Sequence, residues 1–258
     1  MGARGDVEER LPFDDPRVNL LALPAAFAVA WLVQLSSLGR MLLVPVQIQF
    51  HELGHAVVAW LSSRSALPLP FGFTFWREER SYFTGACTLF LLAVWLWSAW
   101  REQRRFALFS GIALLVVCLR LSITISAERS MMFVIAGGLA GELVLSCAAL
   151  VAFYFPLPDR LRWDFFRFLV LVPSAATWLS AARLWLGVSA GTRALPMGSI
   201  LGTPGDGSGD LDRLIAGYGF TQHGIARGYL LLTVATGSVW LCAYAWFAWR
   251  ARQGFMQM

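Results

Sequence analysis

Lysine is absent from this chain, so all 21 basic residues among its 258 are arginine. Charge of either sign is scarce, at 14% against about 25% in soluble domains. Histidine occurs three times and cysteine four times. Each scarcity excludes a class of function. The formal net charge of +5 comes from arginines that flank apolar runs, where they can lie among lipid headgroups. A nucleic-acid module needs a basic patch on a soluble domain, and none is evident, so no nucleic-acid partner is expected. Cys87, Cys118, Cys147 and Cys242 are far apart and form no CxxC pair, which argues against both a disulfide framework and a cysteine metal site. Three histidines are too few for a membrane di-iron oxygenase. No internal repeat suggests an inverted-repeat transporter, and the acidic leader (Asp6, Glu8, Glu9, Asp14, Asp15) carries no cleavable signal pattern. Absent lysine with abundant Arg, Ala and Gly suggests a GC-rich bacterial genome.

What the chain has in excess is apolar length. Hydrophobic residues make up 57% of it, the mean hydropathy is +0.60, and several runs approach or exceed the ~18 residues that cross a bilayer. The expected fold class is an all-α polytopic membrane protein with about six or seven transmembrane helices, placed in a bacterial inner membrane with the lipid bilayer as a partner. The spans are expected near 20–38, 41–62, 86–100, 106–120, 131–155, 166–186 and 229–249. Gly39-Arg40 is read as the tight turn between the first two, with Pro45 in the opening turns of the second. The domain reading is a polar tail at 1–18, a single transmembrane domain at 19–250 with an extramembrane or re-entrant loop at 189–228, and a tail at 251–258. Between Arg64 and Ala86, aromatic residues on either side of the charged group Arg77-Glu78-Glu79-Arg80 predict an interfacial β-hairpin turning at those charges. Gly137, Gly138 and Gly141 allow another helix a close approach. In the late loop, Asp210 is placed as the N-cap of a short amphipathic helix carrying Leu211, Leu214 and Ile215.

Against that background one stretch stands out. His51-Glu52-Leu53-Gly54-His55 is an HExxH motif inside an apolar run. On a helix His51 and His55 lie one turn apart on one side, so both imidazoles can reach a single metal ion. Glu52 projects beside them, placed to exchange a proton with a water held there. Gln47, His51 and His55 recur every four residues and paint one polar stripe on an oily helix. Ionisable groups at bilayer depth are expensive and usually functional. Zinc needs a third protein ligand and an exchangeable position. By depth alone Glu142 is a candidate, because it lies as far into its span as His51 does into its own.

HELGH in an apolar helix, followed by an aromatic hairpin-like loop, resembles the site-2 protease family of intramembrane zinc metallopeptidases, in its short bacterial form without an inserted domain. The run from Ala136 to Leu143 is similar to that family's glycine-rich span, often AGPLANL, with Gly138 in place of the proline and Glu142 at or beside the asparagine. Gly209-Asp210-Leu211-Asp212-Arg213-Leu214 resembles the looser SDxxxL form of the family's aspartate motif. The resemblance therefore implies His51, His55 and Asp210 as zinc ligands and Glu52 as the catalytic residue. Glu142, Asp206 and Asp212 stand as alternatives for the third ligand. The implied activity is hydrolysis of peptide bonds in or near transmembrane segments, with a membrane-protein or membrane-proximal peptide as substrate. Two other readings remain at this point: a non-catalytic metal-binding scaffold and a small proton or metal transporter.

Overall fold

The computed structural model describes residues 15–69, 72–155, 157–158, 165–198, 207 and 209–255. Asp206, Pro156, the interfacial group Arg160, Arg162 and Asp164, most of the N-terminal tail and the last three residues lie outside the described residues.

The described residues form eight α-helices and one hairpin: α1 (Pro16–Leu35), α2 (Ser37–Leu61), β1 (Arg64–Leu69), β2 (Phe73–Arg80), α3 (Tyr82–Arg101), α4 (Arg105–Leu119), α5 (Ala127–Ala152), α6 (Phe166–Ser189), α7 (Asp210–Tyr218) and α8 (Gln222–Phe255). A π-helical turn, Arg120–Thr124, extends α4. Four helix starts among the described residues are set by short polar side chains. Asp15, Ser36, Ser81 and Ser126 each accept a hydrogen bond from a backbone N–H of the first turn, satisfying donors that the helix itself leaves unpaired.

Several boundaries depart from the sequence expectation. The turn between the first two helices is at Ser36, not at Gly39-Arg40. Ser36 is extended, so it ends α1, and its hydroxyl accepts from the Gly39 N–H at 2.9 Å to start α2. Pro45 is consequently deeper in α2 than expected, where its ring removes one i→i−4 hydrogen bond. Residues 16–18, assigned to the tail, begin α1 because Asp15 caps it. The last helix starts at Gln222 and runs to Phe255, past both expected ends.

The hairpin also differs. Arg77–Arg80 are strand residues rather than a turn, the chain reverses between Leu69 and Phe73, and the φ of +92° at Gly72 suits glycine. The strands pair antiparallel, with Leu69 opposite Phe73 and Arg64 opposite Arg80. The two arginines anchor the hairpin. Arg64, fully buried, donates to the Glu78 and Ala127 carbonyls and to Ser130 Oγ. Arg80 donates to the Leu121 and Ile125 carbonyls, at the end of the π-turn.

Among the described residues, six helices are long and apolar enough to cross a membrane: α1, α3, α4 with its π-turn, α5, α6 and α8. The HELGH helix α2 is not among them, because its polar stripe lowers its hydropathy. α5 is the most enclosed, with 61% of its apolar window buried, against 17% for α3 and 22% for α4. It is the hub, packed by α2, α6, α7 and α8. α3 and α4 sit outside and expose broad apolar faces, including Phe90, Leu91, Trp97 and Phe109.

The two larger apolar clusters among the described residues hold the hub. One joins α1, α5 and α6 through Leu23, Ala26, Leu150, Phe153 and Leu171. The other joins α5, α6, α7 and α8 through Leu139, Leu143, Trp185, Leu211, Leu214 and Tyr229. Trp185 stacks on Tyr229 at a centroid distance of 4.3 Å. Burying Leu211 and Leu214 stabilises the docked α7 by roughly 3–6 kcal/mol before entropy is counted.

Candidate metal centre

α2 and α5 cross with almost no side chain between them. Gly54 faces Gly137 and Gly141, and a Cβ on any of the three would strike backbone of the opposite helix. The glycines spaced four apart on α5 form the groove, as small-xxx-small packing requires. This crossing sets the HELGH stripe against the middle of α5.

The imidazoles are then fixed from behind. His51 Nδ1 lies 2.9 Å from Glu142 Oε1, and His55 Nδ1 donates to the Val134 carbonyl at 2.7 Å. Anchoring each Nδ1 turns each Nε2 inward, the arrangement that outer partners impose on metal-binding histidines. Both Nε2 atoms meet the same oxygen: Asp210 Oδ2 is 3.0 Å from His51 and 3.1 Å from His55. The ligand-type atoms of His51, His55 and Asp210 all lie within 4.8 Å of one another, so the group could hold a metal ion.

Asp210 reaches the centre because it is the first residue of α7 and not its cap. Gly209 is the N-cap, with no side-chain bond, which corrects the capping role expected for Asp210 and leaves its carboxylate free to face the imidazoles. Burial disfavours the charged carboxylate, but the hydrogen bonds and charge of the two histidines outweigh it and hold the Asp210 pKa well below the usual carboxylate range. Asp212 points elsewhere. Its Oδ2 accepts from the Gly198 N–H at 2.7 Å and ties the preceding loop to α7. Glu142 sits behind His51 rather than in the three-residue group. His223 is exposed at the start of α8, away from the cluster.

Glu52 is buried, and Thr74 of β2 donates to its Oε2 at 2.6 Å, also lying 2.9 Å from the Glu52 carbonyl. Trp76, two residues on, packs against the His55 ring at 5.2 Å between centroids. Sequence reasoning misses both residues. The signal for them is strand alternation: Thr74 and Trp76 share the inward face of β2 while Phe73 and Phe75 face outward. Gly138, which the sequence suggests only for helix packing, has a second role, because a Cβ there would collide with Nε2 of both His51 and His55. The space directly before the two nitrogens exists because that residue has no side chain.

The centre opens into a cavity of about 670 Å³, walled by α2, β2, α5 and α7, whose lining includes Gln47, Glu52, Trp76, Glu142, Met197 and Arg213. Gln47, at the head of the polar stripe, donates to Ser180 Oγ at 2.7 Å and ties α2 to α6. Compared with protein-family models, curated proteins and solved structures, the chain matches none.

Proposed function

We propose that this chain is a multi-pass protein of the bacterial inner membrane and an intramembrane zinc metalloendopeptidase, akin to the compact site-2 proteases, that hydrolyses peptide bonds in or near transmembrane segments. The observation that carries this reading is the convergence of His51 Nε2 and His55 Nε2 on Asp210 Oδ2 beside a buried Glu52. The donor set suits zinc: two imidazole nitrogens and one carboxylate oxygen, each nitrogen oriented from behind, and open space kept by Gly138. A catalytic site keeps a position open where a structural site is closed by four protein ligands. Only three ligand-type residues gather among the described residues, which favours the enzyme over a scaffold.

Zinc, when bound, lowers the pKa of a water to roughly 7 and polarises a carbonyl. The remaining work falls to the chain. Glu52 takes the proton of the attacking water and returns it to the leaving amine. Thr74 holds one carboxylate oxygen of Glu52, which orients the other. β2 lines the cavity through Thr74 and Trp76, so an unwound substrate segment can lie extended along it. Unwinding is required, because a helix hides its carbonyls in internal hydrogen bonds.

The test is cleavage of a single-span reporter in reconstituted vesicles. Wild type should cut it, and Glu52→Gln should keep zinc and lose cleavage. Retained cleavage in Glu52→Gln removes Glu52 from the chemistry. Intact reporter with zinc-loaded wild type counts against the peptidase.

A further inference from the structure

Arg213 lines two cavities at once. One is the metal-side cavity. The other, about 650 Å³, is bounded by Arg64, Glu78, Glu128, Met131, Tyr218 and neighbouring backbone of α7. Arg213 follows Asp210 by three residues on α7, so the two side chains share a helix face at roughly 5–6 Å between Cβ atoms. Its guanidinium lies over the Trp76 ring, 5.6 Å from the centroid, and Trp76 in turn packs on His55. A cation is thereby held one helical turn from the centre by a rigid aromatic platform.

The charges around it are already engaged. In the metal-side cavity Glu52 accepts from Thr74, Glu142 meets His51, and Asp210 meets both histidines. No carboxylate among the described residues lies within ion-pair distance of Arg213. Its own neighbour Asp212 is held by Gly198. Arg213 is the one arginine on that cavity wall, and no carboxylate among the described residues pairs with it.

We propose that Arg213 is a specificity-determining residue: it reads a single acidic side chain of the substrate, placed next to the cleaved bond over the Trp76 platform. This rests on the peptidase reading of the site and adds a substrate class to it. The second cavity restricts the preference to one position. A chain continuing past Arg213 meets Glu78 and Glu128, while Arg64 there already donates to backbone and Ser130. A second acid is therefore disfavoured. Arg213 is exposed, and a charge-assisted pair at an exposed site corresponds to a preference of up to about fivefold.

The probe is a series of quenched-fluorescence apolar peptides in detergent, each carrying Glu, Gln or Lys at one position around the cleaved bond. For wild type, kcat/KM should be up to about fivefold higher for Glu than for Gln at one position only. Arg213→Gln should abolish that ratio, and Arg213→Glu should reverse it in favour of Lys. Binding of the same peptides to Glu52→Gln, followed by fluorescence polarisation, should show the same order without turnover. A Glu-to-Gln ratio unchanged in Arg213→Gln overturns the assignment while leaving the peptidase intact. Zinc-loaded wild type that cuts no peptide and no reporter overturns the peptidase, and the assignment with it.

Discussion

Thr74 Oγ1 lies 2.6 Å from Glu52 Oε2, joining the hairpin to the carboxylate that we propose as the acid–base group. In the proposed mechanism the contact makes the position of β2 part of the chemistry. Arg64 and Arg80 fix the far end of the same hairpin on α4 and α5, so the hydroxyl is held from a rigid support. Thr74→Val preserves shape and removes the donor. Its kcat should fall about tenfold or more, KM should change little and zinc should stay bound. Thr74→Ser should recover most of the rate. Equal activity in Thr74→Val would remove the hydroxyl from the mechanism.

Gly138→Ala separates the centre from the fold. Alanine favours a helix over glycine by roughly 1 kcal/mol, so the α5 backbone should accept it. The added methyl, however, meets both Nε2 atoms. The expected result is a folded protein with weakened zinc binding, read by thermal unfolding beside metal content. Normal zinc affinity in Gly138→Ala contradicts the placement of the open space.

Gly54→Ala should fail in the opposite manner. Its methyl would meet Gly137 and Gly141 backbone, which cannot rotate away, and the α2–α5 crossing must widen. Overpacking of this kind costs about 1–3 kcal/mol, visible as a lower unfolding midpoint in detergent. An unchanged midpoint would mean that the crossing is looser than described.

Arg64→Leu should loosen the hairpin. Arg64 is fully buried, and its three hydrogen bonds tie β1 to β2 and to the start of α5. Leaving buried acceptors unpaired costs about 1–3 kcal/mol. The hairpin should become sensitive to limited proteolysis before the helices do. Simultaneous loss of both would show that hairpin and bundle unfold as one unit.

The helices are legible in the sequence because each apolar run is long and ends at a polar or helix-breaking residue. Ends that depend on one side chain are not: Ser36 stops α1 and starts α2 by a single hydroxyl contact, and nothing in hydropathy distinguishes it from Gly39. The histidine pair follows from helical spacing, which is local. Its partner oxygen does not, because Asp210 is 159 positions from His51 and arrives only through the docking of α7. Depth counting points to Glu142 instead, and α5 does bring it to His51, but on the Nδ1 side. Arg77–Arg80 read as a turn because charge clusters usually mark one. Here Arg80 is drawn inward by unpaired carbonyls at the π-turn, a demand invisible in the strand's own residues.

Zinc content of the protein purified in detergent, wild type beside His51→Ala, Asp210→Ala and Glu142→Ala, tests the central claim most directly. About one zinc per chain is expected in wild type and none in His51→Ala or Asp210→Ala. Glu142→Ala, which loses only the group behind His51, should still load, with affinity lowered about 10–100-fold. Wild type without zinc after metal-replete purification contradicts the metal centre. Full loading of Asp210→Ala with an empty Glu142→Ala would move the third ligand from α7 to α5.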